Sequence, residues 1–264
     1  MRNTKAAGPT GLADPGVCGV VLAAGAGTRL GLGPKALLPY RGRPLVESVG
    51  NALLEGGCRE VVVVLGAGAS EVQAAASLDR FRVLDNADWQ TGMGSSFLLG
   101  NHAANPGSHL LIALVDQPGL TPETVRRLLA AHRPGRVTTA AYRRAPSDGG
   151  LPDTRSHEGD AGRGDCLEPK ETAGGNENTQ QENRSRQPGF ARHGNNRGQA
   201  GQLQRGHPLL IDASLREAVC ATVTGDAGAR GFLRSHPDLV DEVDCSDQSS
   251  GEDVDTPDQL GLLQ

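Results

Sequence analysis

Aromatic residues are nearly absent: one Trp, two Tyr and four Phe in 264 residues. A core built on large rings is therefore excluded. The interior must come from Val, Leu, Ile and Ala, which suits a parallel sheet covered by helices on both faces. No apolar stretch reaches the roughly 18 residues that a membrane-spanning helix needs, and Met1 to Pro15 has no hydrophobic run of the signal-peptide kind. A cytoplasmic protein without a membrane partner is expected. Positive charge is not in excess either: the formal charge is −5 and the pI near 5.8, which gives no general attraction for nucleic acid. Cys18, Cys58, Cys166, Cys220 and Cys245 form no C-x-x-C pair, so a zinc knuckle or dithiol motif is excluded and reduced thiols are expected. A catalytic thiol at Cys18 or Cys58 is the alternative to a small buried hydrophobe there.

Glycine is plentiful, with 37 residues, and apolar runs alternate with helical spacing. After a loose leader over residues 1–16, Cys18–Leu22 reads as a buried strand. Leu45–Leu54 has helical spacing and stops at Gly56-Gly57. Glu60–Leu65 is a second strand, and Ser70–Leu78 a helix with Ser70 as its N-cap. Phe81–Leu84 and His109–Val115 are further strands flanking a helix over Ser95–His102, and Thr121 caps a helix running to His132. Val137–Tyr142 is again a strand.

From about 144 to 205 the composition turns to Gly, Asn, Gln, Arg, Asp, Glu and Ser with no apolar period, and a disordered insertion is expected. Strand, helix, helix and strand signals follow at His207–Ile211, Ala213–Ala221, Ala227–Ser235 and Leu239–Val243, with a last helix from Thr256. This alternation predicts an α/β fold, a three-layer Rossmann-like doubly wound and mostly parallel sheet. It would be one domain over 17–264 carrying the insertion.

Chemistry concentrates just past the first strand, in Leu22-Ala-Ala-Gly-Ala-Gly-Thr-Arg-Leu-Gly-Leu-Gly-Pro-Lys35. Ligands of open α/β sheets bind at that edge. Gly25 and Gly27 let backbone N–H groups approach phosphate oxygens, Thr28 adds a hydroxyl, and Arg29 and Lys35 add positive charge. A Walker loop is only weakly matched because Pro34 precedes the Lys and Ala36 replaces the metal-binding hydroxyl. A dinucleotide fingerprint is disfavoured because its third Gly comes one place late, at Gly31, and no acidic residue closes the second strand. A plain Gly-rich turn is the remaining alternative.

Leu-Ala-Ala-Gly-x-Gly-Thr-Arg-x-Gly followed by Lys resembles the signature of the MobA-like nucleotidyltransferases. Trp89-Gln-Thr-Gly-Met-Gly-Ser-Ser96, Val115-Asp-Gln-Pro118, Gly206-His-Pro208, Gly225-Asp-Ala-Gly-Ala-Arg230 and Asp253-Val-Asp-Thr-Pro257 follow in the family's order. They are most similar to the molybdenum cofactor cytidylyltransferase branch. The spacing from Arg29 to Lys35 is one residue longer than the commoner one.

This resemblance implies transfer of a nucleotidyl group from an NTP to a small phosphorylated acceptor of the molybdopterin kind, with a molybdoenzyme as partner. It implies Mg²⁺ as cofactor, with Asp116 and Asp255 as ligands and Asp253 competing with Asp255. Arg29, Lys35 and Asp116 would be the catalytic residues. Leu22, Ala23, Ala24, Gly25, Gly27, Thr28, Arg29, Lys35, Gly94, Ser95 and Ser96 would bind the nucleotide. Ala23 and Ala24 resemble the cytidine-type signature and favour CTP. His207 is a candidate acceptor contact. Each has a structural alternative: Asp116 as the start of a turn before Pro118, Asp255 or Thr256 as a helix cap, Ser95 as an N-cap. Proteins of the nicotine blue oxidoreductase type share the early motifs, so an NAD(P)H-dependent oxidoreductase is the competing function and a non-catalytic nucleotide-binding protein a third.

Overall fold

The computed structural model describes residues 16–143 and 202–264. The expected leader lies outside them except for Gly16, as does the expected insertion up to residue 201. Nine strands form. They are β1 (Val17–Ala23), β2 (Pro39–Tyr40), β3 (Arg43–Pro44), β4 (Glu60–Leu65), β5 (Arg82–Asp85), β6 (His109–Leu114), β7 (Val137–Arg143), β8 (Leu203–Ile211) and β9 (Val240–Asp244). The helices are α1 (Leu45–Gly56), α2 (Ala69–Ala75), α3 (Met93–Ala103), α4 (Pro122–Ala131), α5 (Arg216–Cys220) and α6 (Arg230–Ser235), with a final 3-10 segment over Pro257–Leu263.

Seven strands make one sheet in the order β5-β4-β1-β6-β8-β7-β9, and β2 pairs with β3 apart from it. All pairings in the large sheet are parallel except those of β8, which runs antiparallel to β6 and β7. From β1 the chain winds outward to β4 and β5, then returns to place β6 on the other side of β1. The strand order reverses between β1 and β6, which is where sheets of this kind open a ligand crevice.

Burial on both faces follows from the alternation of side chains along each strand. Val21 and Ala23 of β1 pack with α1 and α4 through Val49, Leu53, Val125 and Leu128. Cys18, Val20 and Leu22 pack with α3, α5 and α6 through Phe97, Val219 and Phe232. Aliphatic residues dominate both cores, as the composition requires. Cys18, Cys58, Cys220 and Cys245 are free thiols. Burial pushes Cys18 and Cys58 up to about 12, so neither is a thiolate near neutral pH and the catalytic-thiol alternative falls away. No helix among the described residues is long and apolar enough to cross a membrane.

Three expectations are corrected. β8 begins at Leu203 and not at His207, because its first residues, though exposed and polar, pair with the far end of β7. The α2 helix is entered from Gly68 in a left-handed conformation, so Ser70 lies inside the helix and caps nothing. Helix α3 starts at Met93 with Gly92 preceding it, so Ser95 is not its cap.

Helices α1 and α4 are in close contact where α1 ends. A Cβ added to Gly56 would lie 2.3 Å from Val125 Cβ and 3.1 Å from the Pro122 carbonyl oxygen. Gly56→Ala must therefore push the two helices apart. It is expected to destabilise the fold by about 1–3 kcal/mol, read as a lower urea midpoint with unchanged slope.

Candidate active site

The segment after β1 folds back on itself before it reaches Lys35. Gly27 has φ +62°, and a Cβ there would meet the Gly33 carbonyl oxygen at 2.5 Å, so this turn requires glycine. The Leu30 N–H donates to Gly27 O at 3.0 Å, and buried Leu30 anchors the loop to the core. Lys35 then opens a 3-10 turn, Lys35–Leu37, aimed across the ends of β1 and β6.

Asp116 follows β6, held to β1 through the Val115 N–H, which donates to Leu22 O at 3.2 Å. The Val254 N–H donates to the Asp116 carbonyl at 2.9 Å and pins the late Asp253-Val-Asp255 segment beside it. At the end of that segment Thr256 is the N-cap, Pro257 the first residue of the 3-10 segment, and Gln259 completes a capping box. Gln259 Oε1 also accepts the Asp255 N–H at 2.8 Å. Capping is thus done by Thr256, and the Asp255 carboxylate is left for other contacts.

Those contacts converge on Lys35. Its Nζ donates to Asp116 Oδ2 at 2.8 Å and to Asp255 Oδ1, while Arg29 lies 3.9 Å from Asp255 Oδ2. Burial alone would lower the Lys35 pKa, but Asp116 and Asp255 together raise it, so the ammonium is fixed in its charged form. Asp253 accepts from Gln117 Nε2 at 2.8 Å. Burial, and then the charge of Asp116, raise its pKa above the usual carboxylate value. Two carboxylates therefore share one close ammonium, with Asp253 a third acidic group near Asp116. The Asp116 Oδ1 atom is buried without a hydrogen-bond donor. An unsatisfied carboxylate oxygen in a site of net negative charge, with only oxygen donors, fits a hard divalent cation such as Mg²⁺.

A cavity of about 370 Å³ opens beside this cluster and is lined by Leu22, Ala24, Gly25, Lys35, Ser96 and Asp116. Ala23 points into the opposite core, and Thr28 and Arg29 stand exposed on the loop. Gly94 packs under the Gly225 carbonyl. Ser95 Oγ donates to Gly92 O and Asp88 O, and Asn86 Nδ2 donates to both Ser95 and Ser96. Sequence reasoning did not single out Trp89, Gln90, Thr91, Met93 and Asp226, which also line the cavity. The signal was present, since all five lie in the quoted motifs. Asp226 Oδ1 accepts the Met93 N–H at 3.1 Å. An acidic side chain thus already occupies the start of α3, beside the expected nucleotide-binding residues Gly94, Ser95 and Ser96.

A larger cavity, about 730 Å³, shares Leu22, Met93, Leu114 and Asp226 with the first. Its polar groups include Gln117, Asp253, His207, Arg230 and Arg234 over a floor of Phe97, Ile112 and Leu209. Burial, then the charge of Arg230, lower His207 to about 4, so it is neutral near pH 7.

A doubly wound sheet with a Gly-rich loop, a lysine and acidic residues at its C-terminal edge defines a nucleotide-binding α/β protein. Residues 19–240 match the MobA-like NTP transferase domain, and the chain belongs to that family. It is 49% identical over 249 residues to nicotine blue oxidoreductase of Paenarthrobacter nicotinovorans, an alignment covering 94% of this chain and 97% of that protein. Solved structures of similar fold include a nucleotidyl transferase from Methanothermobacter thermautotroptrophicus (TM-score 0.64, 24% identity, covering 94% of this chain and 96% of that one). Another is Rv0371c of Mycobacterium tuberculosis H37Rv in complex with manganese (TM-score 0.61, 22% identity, 94% and 97% covered). At these identities the structures show a shared nucleotidyltransferase fold.

Because His207 holds its proton less tightly in the folded chain than in the unfolded one, acid favours unfolding. Its contribution is complete above about pH 6.5 and is lost as pH falls toward 4. His207→Gln is expected to flatten the decline of urea-unfolding stability between those values. An unchanged slope would remove His207 from that effect.

Proposed function

We infer that the chain is a Mg²⁺-dependent nucleotidyltransferase that moves an NMP, with CMP favoured, from an NTP to a phosphorylated acceptor, a molybdopterin-type compound being the leading choice. The observation that carries this reading is the convergence of Lys35, Asp116 and Asp255 at the mouth of the Gly-rich loop. A site that only bound a dinucleotide would have no evident use for clustered carboxylates beside its phosphates.

In the reaction a phosphate oxygen of the acceptor attacks the α-phosphorus of the NTP in line. A new P–O bond forms as the bond to the β-phosphate oxygen breaks, and pyrophosphate leaves with the electron pair. Positioning and charge neutralisation supply most of the catalysis in such a step. The backbone from Ala24 to Gly27 would cradle the phosphates. Lys35, permanently protonated, would exchange part of its contact with the carboxylates for the leaving phosphates, aided by Arg29. Asp116 and Asp255 would hold Mg²⁺, which when bound neutralises charge on the phosphate oxygens. Leu22 and Ala24 would bound the nucleoside. The acceptor would enter the larger cavity, where Arg230 and Arg234 supply positive charge and His207 an uncharged polar edge.

A second reading, an NAD(P)H-dependent oxidoreductase, is favoured by the 49% identity to nicotine blue oxidoreductase over nearly the whole chain. The same loop would then take the dinucleotide's pyrophosphate. Thermal-shift titration with CTP, GTP, ATP and NADPH, each with and without Mg²⁺, separates the two. Metal-dependent stabilisation by an NTP is expected; stabilisation by NADPH alone, independent of metal, would overturn the transferase reading. Asp116→Asn is expected to lower pyrophosphate release at least 100-fold while leaving the fold intact.

A further inference from the structure

A second cluster of metal-type ligands lies at the opposite edge of the sheet. His109 opens β6, Asp212 follows the last residue of β8, and His132 terminates α4. β8 runs antiparallel to β6 with Leu110 opposite Ile211, so its end arrives at the start of β6. The ligand atoms of the three side chains lie within 4.8 Å of one another. Asp116 sits seven residues along the chain from His109, at the other end of β6, so the two sites are separated by roughly 20 Å.

The geometry inside this cluster does not match a hydrogen-bonded triad. His109 Nδ1 and His132 Nε2 each lie 3.4 Å from the same atom, Asp212 Oδ2. That is long for a charge-assisted hydrogen bond, and His132 Nε2 is buried with no hydrogen-bond partner. Yet about 3.4 Å, the separation of each imidazole nitrogen from Asp212 Oδ2, is the ligand-to-ligand edge of a tetrahedron whose metal–ligand bonds are about 2.05 Å, the length zinc takes with imidazole and carboxylate. The two imidazole nitrogens, within 4.8 Å of each other, would draw together on binding.

The outer contacts also suit coordination. His132 Nδ1 lies 3.0 Å from Oγ1 of the fully buried Thr138, and by donating its proton there it leaves the Nε2 lone pair facing Asp212. Asp212 Oδ1 accepts from the Ser214 N–H at 2.9 Å and from its hydroxyl at 2.6 Å, turning Oδ2 toward both rings. One contact competes: the Ala213 N–H donates to His109 Nδ1 at 3.0 Å. Binding there exchanges a hydrogen bond for a coordination bond, whereas His132 has no such competitor.

We propose that His109, His132 and Asp212 form a zinc-class transition-metal site that clamps the end of α4 to the β6–β8 pair, independent of the nucleotide site. Two imidazoles and one carboxylate select Zn²⁺ or Co²⁺ over Mg²⁺, which prefers oxygen ligands alone. The fourth position is left for water.

The test uses the full chain after chelator treatment. Zn²⁺ is expected to bind at one per chain through this cluster and to raise Tm, and Co²⁺ to give the visible d–d absorption of a tetrahedral site. His132→Gln is expected to weaken Zn²⁺ binding at least tenfold and His109→Gln by less, while Asp116→Asn leaves it unchanged. The absence of the Co²⁺ bands in the unaltered protein would overturn the proposal. So would a Zn²⁺ shift that survives His132→Gln or one that disappears in Asp116→Asn. Failure of the nucleotidyltransferase reading would leave each of these outcomes unaffected.

Discussion

The Lys35 ammonium bridges two carboxylates that the chain brings together from positions 81 and 220 residues away. Asp116 arrives at the end of β6 and Asp255 on the loop that the Val254 N–H fastens to Asp116. Asp253 adds a third acidic group from the same loop. Like charges at such range repel by several kcal/mol at the effective dielectric of a protein surface, so the arrangement persists only because a cation stands among them. Lysine performs that role in the folded chain, and the unsatisfied Asp116 Oδ1 shows that one ammonium does not use every acceptor in the cluster. The Gly-rich loop, the turn at Gly27 and the capping box at Thr256 serve this convergence, since each fixes the segment that delivers one of the charges.

The fold explains why the cluster lies where it does. Strand order reverses between β1 and β6, and the two loops leaving those strands diverge and open a crevice at the C-terminal edge of the sheet. The smaller cavity lies over the Gly-rich loop and the larger one extends toward β7 and β8, with Asp226 bordering both. Family membership and fold are those of nucleotidyltransferases. The high identity to a protein named for oxidoreduction makes the ligand, more than the fold, the point on which function turns.

Much of this was legible because the relevant signals are local. β1, β4 and β6 are buried on both faces and therefore appear as unbroken aliphatic runs, and Thr121-Pro122 and Thr256-Pro257 carry cap and first-turn residues side by side. Lys35, Asp116 and Asp255 were legible as candidates from motif resemblance, and the structure brings their side chains together. What the chain hides is non-local. The start of α3 is satisfied by Asp226, 133 residues away, so no nearby residue signals it. The first half of β8 is polar because it is exposed, and only its pairing with β7 makes it a strand. The His109–His132–Asp212 cluster assembles from three distant elements and leaves no sequence motif.

The central claim is that the carboxylates beside Lys35 serve a metal-bound NTP. Calorimetric titration of CTP into the full chain and into Asp255→Asn, with Mg²⁺ and then with EDTA, tests it most directly. The account predicts binding that requires Mg²⁺ and is weakened about tenfold or more by Asp255→Asn, the loss of about 1.4 kcal/mol. Equal affinity in EDTA, or no effect of Asp255→Asn, would contradict it.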